Sequence, residues 1–220
     1  MSGTRIGWLG GSFDPVHEGH LHIARAAIAD LGLDRVLLVP AAQPPHKRDR
    51  TLAPGPDRLA LLEVACVGDE RLQPHDVELR RGGISYSYDT AEQLLGQLPG
   101  GTELFLIVGA DMLADLPHWH RGAELARLVN VCPVDRPGHD GEPAALAEIL
   151  GDEVLSAIRG RTLRPEPHPA SSTAIREALR GGEPPEWLPP GVEQEIRRRG
   201  LYGRGGASSN DISGAERSRP

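Results

Sequence analysis

The sequence predicts an α/β fold, a doubly wound and mainly parallel sheet with helices on both faces, and three observations predict it. The apolar run Ile6 to Leu9 passes through a glycine turn into Leu21 to Leu31, where apolar residues recur at helical spacing. Arg35 to Pro40 then follows as a run of Val and Leu without polar alternation, which is the pattern of a strand buried on both faces. Leu104 to Val108 repeats that pattern further on. Strand, helix and strand at the first spacing imply a parallel pair joined by a right-handed crossover.

The remaining elements follow in chain order. Asp57 to Val67 reads as a helix, Leu72 to Leu79 as a short extended segment, and Arg80-Arg81-Gly82-Gly83 as a turn. Ser85-Tyr86-Ser87-Tyr88-Asp89-Thr90 opens a helix over Ala91 to Leu98, with hydroxyl and acidic side chains available as caps. Gly122 to Leu128 is helical, Val129 to Val134 is a strand, and Pro143 to Ile158 is mostly helical with a break near Gly151. Thr162 to Pro169 is extended and proline-rich. A further helix starts at Ala170-Ser171-Ser172-Thr173-Ala174-Ile175-Arg176 and runs to about Leu179, and a last one spans Gly191 to Arg199. From Gly203 onward, glycine, serine and charge without apolar periodicity predict disorder. The expected organisation is one domain over residues 1–203 and a disordered tail over 204–220, with no internal repeat.

Composition narrows the function classes. The 220 residues suffice for a proper core, and a formal charge of −7 supplies no basic face for nucleic acid. Cys66 and Cys132 have neither CxxC nor metal-ligand spacing, so a disulfide framework or structural zinc is not expected and a reducing cytosol is the simplest compartment. No apolar run approaches the ~20 residues that span a bilayer, and the N-terminus has no signal-like region, so the expected location is cytoplasmic, with no membrane partner.

The chemistry concentrates in the opening turn, Gly10-Gly11-Ser12-Phe13-Asp14-Pro15-Val16-His17-Glu18-Gly19-His20. Gly10 and Gly11 are expected to adopt backbone angles closed to other residues and to leave N–H groups facing a ligand, while the helix start adds partial positive charge. His17 and His20, three residues apart, are expected on one face of the first helical turn, each donating to one phosphate chain. Gly19 is expected to let the ligand lie close. Ser171, Ser172 and Thr173, with Arg176 one turn along, form a second candidate phosphate cradle, since capping uses one hydroxyl and rarely three. Gly109-Ala110-Asp111 at a strand's carboxyl end suits close ligand approach and hydrogen bonds to a ribose or cation, with helix capping the rival account of Asp111. Trp119, between His118 and His120, is either core or an aromatic plate for a flat ring. The loop Ala41 to Arg50 carries His46 and Lys47 either as a solvated connection or over the site.

Several chemistries lack their signatures. His22 lies on a different helical face from His17 and His20, and no HExxH or cysteine partner supports zinc, so no metal ligands are assigned. Gly7-Trp8-Leu9-Gly10-Gly11 lacks GxGxxG spacing, and there is no GxxxxGK[ST] loop and no GxSxG elbow. What remains is phosphoryl or nucleotidyl transfer driven by positioning and charge stabilisation.

The opening turn resembles the GG[ST]FDPxHxGH signature of the HxGH nucleotidyltransferase superfamily, and Ala170 to Arg176 resembles its ISSTxIR motif. Within that superfamily, Pro44-Pro45-His46-Lys47, Ser85 to Thr90, Gly109-Ala110-Asp111 and Pro117-His118-Trp119 resemble the bacterial nicotinate-nucleotide adenylyltransferases, over about residues 5 to 203. The resemblance implies a Rossmann-like fold and transfer of the adenylyl group of ATP to nicotinate mononucleotide, with Mg²⁺ bound alongside ATP. It implies that His17, His20 and Arg176 are catalytic. It implies ATP contacts from Gly10, Gly11, Ser12, His17, His20, Gly109, Asp111, Ser172, Thr173 and Arg176, and acceptor contacts from His46, Lys47, Ser87, Trp119 and His120. Nicotinamide mononucleotide as acceptor, pantetheine phosphate as acceptor, and a non-catalytic nucleotide-binding protein are the alternatives; the missing Trp119 segment of pantetheine phosphate enzymes counts against the second. The chain departs from the family at Cys132 to Gly138, where a shorter strand end is usual, and at Ala170, which replaces a branched residue.

Overall fold

The structure, a computed structural model, describes residues 3–44, 51–113, 115–135 and 145–203. Five parallel strands, β1 (Arg5–Gly11), β2 (Arg35–Pro40), β3 (Leu72–Pro74), β4 (Glu103–Gly109) and β5 (Asn130–Val134), form one sheet in the order β3-β2-β1-β4-β5. Their side chains alternate between two apolar clusters. Val36, Leu38, Phe105 and Ile107 face one way, whereas Ile6, Trp8, Leu37, Val39, Leu104 and Leu106 face the other. Such double burial explains the unbroken apolar runs in the sequence. The helices α1 (Glu18–Leu31), α2 (Gly55–Ala65) and α10 (Val192–Arg199) cover the first face. On the second lie α4 (Ser87–Gln97), α6 (Gly122–Leu128), α7 (Ala145–Leu150) and α8 (Asp152–Arg159). The break between α7 and α8 falls at Gly151, whose φ of 83° is a left-handed angle that glycine adopts without strain.

Two expectations change. The segment from Leu72 is extended only to Pro74, after which Val77–Arg81 forms the short helix α3. The alternating Val77 and Leu79 mimic a strand, but Val77 is buried and Glu78 is drawn inward by polar partners on α4. Gly10 and Gly11 are the last residues of β1, paired with Val39 and Pro40, and neither has a positive φ. The left-handed residue of the turn is instead Phe13, at φ 46°. Thr162 to Pro169 forms no strand beyond a single bridge from Leu163 to Val134. His46, Lys47, the Arg136 to Gly141 loop and the tail from 204 lie outside the described residues.

The strand order places β1 between β2, reached by one crossover, and β4, reached by another in the opposite direction. This is the switch point at which α/β sheets leave a crevice beyond the strand ends. Both glycine-containing strand ends, Gly10-Gly11 and Gly109, meet there.

Candidate active site

A cleft of about 600 Å³ opens over the carboxyl ends of β1 and β4. It brings together Gly10, Gly11, Ser12, His20, Gly109, Asp111, Ser172, Thr173 and Arg176, and on its other side Ser87, Trp119 and His120. Twelve of the expected residues, from five separate stretches of chain, therefore line one cleft. His17 stands directly behind the wall, its ring stacked on that of His20 with centroids 3.8 Å apart.

The two histidines are not equivalent. His17 is the N-cap of α1, with extended backbone angles, rather than a residue of its first turn. The His17 N–H donates to Nδ1 of His20 at 3.3 Å, and the His20 N–H donates to the His17 carbonyl at 2.9 Å. An Nδ1 that accepts carries no proton, so neutral His20 bears its proton on Nε2 and presents that atom as a donor. Gly19 does not border the cleft. A Cβ there would stand 3.1 Å from Nδ1 of His17, so the glycine leaves room for the His17 ring and not for a ligand in the cleft.

Helix α9 (Ser172–Gly181) closes the phosphate end by binding the opening turn directly. The Ser172 hydroxyl donates to the Pro15 carbonyl at 3.0 Å, and Nη1 of Arg176 donates to the Asp14 carbonyl at 2.5 Å. Nη2 of Arg176 donates to Oγ1 of Thr173 at 3.1 Å, which leaves part of its donor fork for a ligand. None of the three consecutive hydroxyls makes a side-chain cap on α9. Two of them are spent on cross-chain and guanidinium contacts, so the N-terminus of α9 and that of α1 both face the same end of the cleft with their partial positive charge.

Two residues unmarked by the sequence reading hold this end in place, and a third lines the cleft elsewhere. Arg58 of α2, 1% exposed, donates to the carbonyls of Ala53, Ser12 and Ala41 at 2.7 to 2.8 Å. Burial depresses its pKa, opposed by the nearby Asp14. Its signal was an arginine on the same helical stripe as Leu61 and Leu62. The Tyr202 hydroxyl donates to Oδ1 of buried Asp14 at 2.7 Å, and burial pushes that phenol's pKa up, with Asp14 adding to the shift. Glu78 of α3 also borders the cleft. Nothing local in the sequence marks Tyr202 or Glu78, because their partners are distant.

At the β4 end, Asp111 lies in the short helix α5 (Ala110–Leu113). Its Oδ1 is buried and has no hydrogen-bond partner among the described residues, so that atom is not spent on a helix cap and is left for a ligand hydroxyl or cation. Trp119 resolves the choice between core and plate by doing both, packing against the second apolar cluster while bordering the cleft. It is held there by a 3₁₀ turn, Leu116–His118, against which Gly122 packs so tightly that a Cβ would fall 2.0 Å from the Leu116 carbonyl oxygen. His120 stacks obliquely on Tyr86, with centroids 4.5 Å apart, and lies 3.9 Å from Asp89. At the two departures from the expected motif, Cys132 is fully buried in β5, and the Cβ of Ala170 faces Gly19. Neither disturbs the hydroxyl and guanidinium cluster. No helix among the described residues is long and apolar enough to cross a membrane.

Comparison with known proteins agrees with this geometry. The sequence model of the cytidylyltransferase-like family matches residues 8–178. A protein of Geobacillus kaustophilus named probable nicotinate-nucleotide adenylyltransferase is 39% identical over 201 residues, covering 90% of this chain and 86% of the relative. One of Solibacter usitatus with the same name is 40% identical over 198 residues, covering 90% of this chain and 99% of the relative. The fold is shared with Plasmodium falciparum nicotinic acid mononucleotide adenylyltransferase complexed with NaAD, at a TM-score of 0.68 and 17% identity, over 90% of this chain and 97% of that one. With a matching family model across most of the chain and near full-length relatives at this identity, the chain belongs to the cytidylyltransferase-like family, among its nicotinate-nucleotide adenylyltransferases.

Proposed function

We propose that the chain transfers the adenylyl group of ATP to nicotinate mononucleotide, releasing nicotinate adenine dinucleotide and pyrophosphate. The observation that carries this reading is the convergence of α1 and α9 on one end of a single cleft whose other end is aromatic. In the reaction an oxygen of the acceptor phosphate attacks the α-phosphorus of ATP, the bond to the bridging β-phosphate oxygen breaks, and that oxygen leaves with pyrophosphate. Nothing covalent forms on the protein, so catalysis rests on alignment and on donors aimed at developing charge.

His20 presents Nε2–H to the phosphates, and His17 supports it by stacking. Gly10, Gly11 and Ser12 let the nucleotide lie against the end of β1, while the main-chain N–H of Ser172, the Thr173 hydroxyl and the remaining donors of Arg176 hold the departing phosphates. Gly109 and Asp111 take the adenosine ribose. The pyridine ring lies on Trp119, and its carboxylate meets main-chain N–H groups near Ser87 and His120. His46 and Lys47 approach a phosphate from the loop after β2. Mg²⁺ enters as part of the nucleotide complex, where it offsets phosphate charge. The cleft's imidazole, hydroxyl and guanidinium donors suit phosphate oxygens, and no group of three or more His, Cys, Asp or Glu that could hold a metal occurs among the described residues. We place the catalytic unit in residues 1–203 and the enzyme in the cytoplasm.

The decisive assay supplies purified protein with ATP and Mg²⁺ and compares pyrophosphate release with nicotinate and with nicotinamide mononucleotide. Backbone donors favour the anionic ring, so nicotinate is the expected substrate. Absence of turnover with every pyridine mononucleotide overturns the reading.

A further inference from the structure

The acceptor side of the cleft depends on a buried carboxyl group outside every motif read from the sequence. Glu78 is 4% exposed, borders the cleft and sits on a helix of only five residues. The Thr90 hydroxyl of α4 donates to its Oε1 at 2.8 Å, and the Ser85 hydroxyl also donates to it. Thr90 is in turn bound by Nη2 of Arg81 at 3.0 Å, while Nη1 of Arg81 donates to Gln93. Ser85 extends the network across the cleft floor. Its Oγ accepts the Ala42 N–H at 2.9 Å, and its own N–H donates to the Gln43 carbonyl at 3.0 Å. Gln43 bridges Ile84 as an isolated parallel contact, so the loop after β2 is stitched to the segment that leads into α4.

We infer that Glu78 is the positioning residue for the acceptor segment Ile84 to Ser87. It fixes the Ser85 hydroxyl and the first turn of α4 from below, and thereby sets the direction of the main-chain N–H groups that precede and open that helix. The phosphate end has its own braces in Arg58, Asp14 and Tyr202, and the two networks meet at a single peptide group, where the Ala41 carbonyl accepts from Arg58 and the Ala42 N–H donates to Ser85. The direct hydrogen bonds of Glu78 go to Ser85 and Thr90, so its removal acts first on the acceptor segment. The assignment of the acceptor to that side rests on the function proposed above.

The test uses the full chain with Glu78→Ala and Glu78→Gln. Alanine leaves the Ser85 and Thr90 hydroxyls without their common acceptor, whereas glutamine keeps an oxygen in the same place. The expected result is a KM for nicotinate mononucleotide raised about tenfold or more in the alanine variant, the effect of losing one hydrogen bond to a charged group. KM for ATP should stay within about twofold, and glutamine should restore most of the loss. Hydrogen exchange reads the same segment without any substrate: the Ala42 and Ser85 amides should exchange faster in the alanine variant, with the amides of α1 and α9 unchanged. Failure of wild-type turnover would remove the functional reading alone, since the exchange pattern still decides the positioning role. Parallel rises in both KM values, a glutamine variant no better than alanine, or uniform exchange across the chain overturns the inference.

Discussion

Replacing Tyr202 by Phe isolates one contact at the centre of the phosphate end. The ring keeps its packing against the first apolar cluster, and only the hydroxyl that donates to Asp14 is lost. Asp14 is 3% exposed, and its Oδ1 also accepts the Ala53 N–H at 3.1 Å, with Arg176 Nη1 3.8 Å from Oδ2. A hydrogen bond to a charged acceptor contributes about 1.5–3 kcal/mol, and the low exposure of Asp14 prevents water from replacing it easily. At ~2–4 °C per kcal/mol for a chain of this size, thermal unfolding should shift down by roughly 3–12 °C. Scanning calorimetry of wild type, Tyr202→Phe, Asp14→Asn and the double variant completes the cycle, with a coupling of ~0.5–3 kcal/mol expected. The phenol adds a pH signature. Its folded pKa is raised above the ordinary 10.0, so its contribution is intact below that pH and is lost as the unfolded tyrosine begins to ionise. Wild type should thus lose stability faster than the Phe variant above about pH 10. A Phe variant that melts with wild type, or a coupling of zero, would refute the clamp.

Four other outcomes follow from the same geometry. His20→Ala should lower kcat by ~10²–10³, since it removes one preorganised donor, far more than the loss of its bond to the His17 N–H alters folding; equal kcat values would exclude the imidazole from the reaction. Arg58→Met leaves three carbonyls without their shared donor and should cost about 3–5 kcal/mol in urea unfolding, with Arg58→Lys recovering only part because it lacks the fork. Cys66 and Cys132 are buried and their pKa values are pushed up to about 12, so a thiol reagent at neutral pH should find neither until denaturant exposes both. Burial raises the pKa of Glu78 from 4.5, against the opposing hydrogen bonds of Ser85 and Thr90 and the charges of Arg81 and Arg58. The group therefore favours folding most below pH 4.5 and progressively less above it, so the stability of wild type relative to Glu78→Gln should rise as pH falls from 8 toward 5; a constant difference would deny the shift.

Legibility of the fold followed the strength of the local signal. Arg35–Pro40 and Gly122–Leu128 have the boundaries that the sequence predicts, because Asp34 and Pro40 bound the first and Gly122 opens the second. β1 continues through Gly11 although glycine gives no apolar signal, and its pairing with β2 supplies the missing information. The alternation of Val77 to Leu79 reads as extended and Arg80-Arg81 as a turn, whereas the helix Val77–Arg81 is set by the inward pull on Glu78 and not by its own period. His20, Ser172, Thr173 and Arg176 stand out in the sequence because anion-binding side chains are crowded at two helix starts, and the fold brings all four to one cleft. Arg58 and Tyr202 were not, for their partners lie 46 and 188 positions away.

The docking of α9 on the opening turn bridges 157 positions between Ser172 and Pro15 and 162 between Arg176 and Asp14. During synthesis the imidazoles leave the ribosome long before the hydroxyls that complete their grip. A nascent chain that has already laid down all five strands still lacks the bonds from α9 to the opening turn, so the two sides of the cleft come together only when α9 docks.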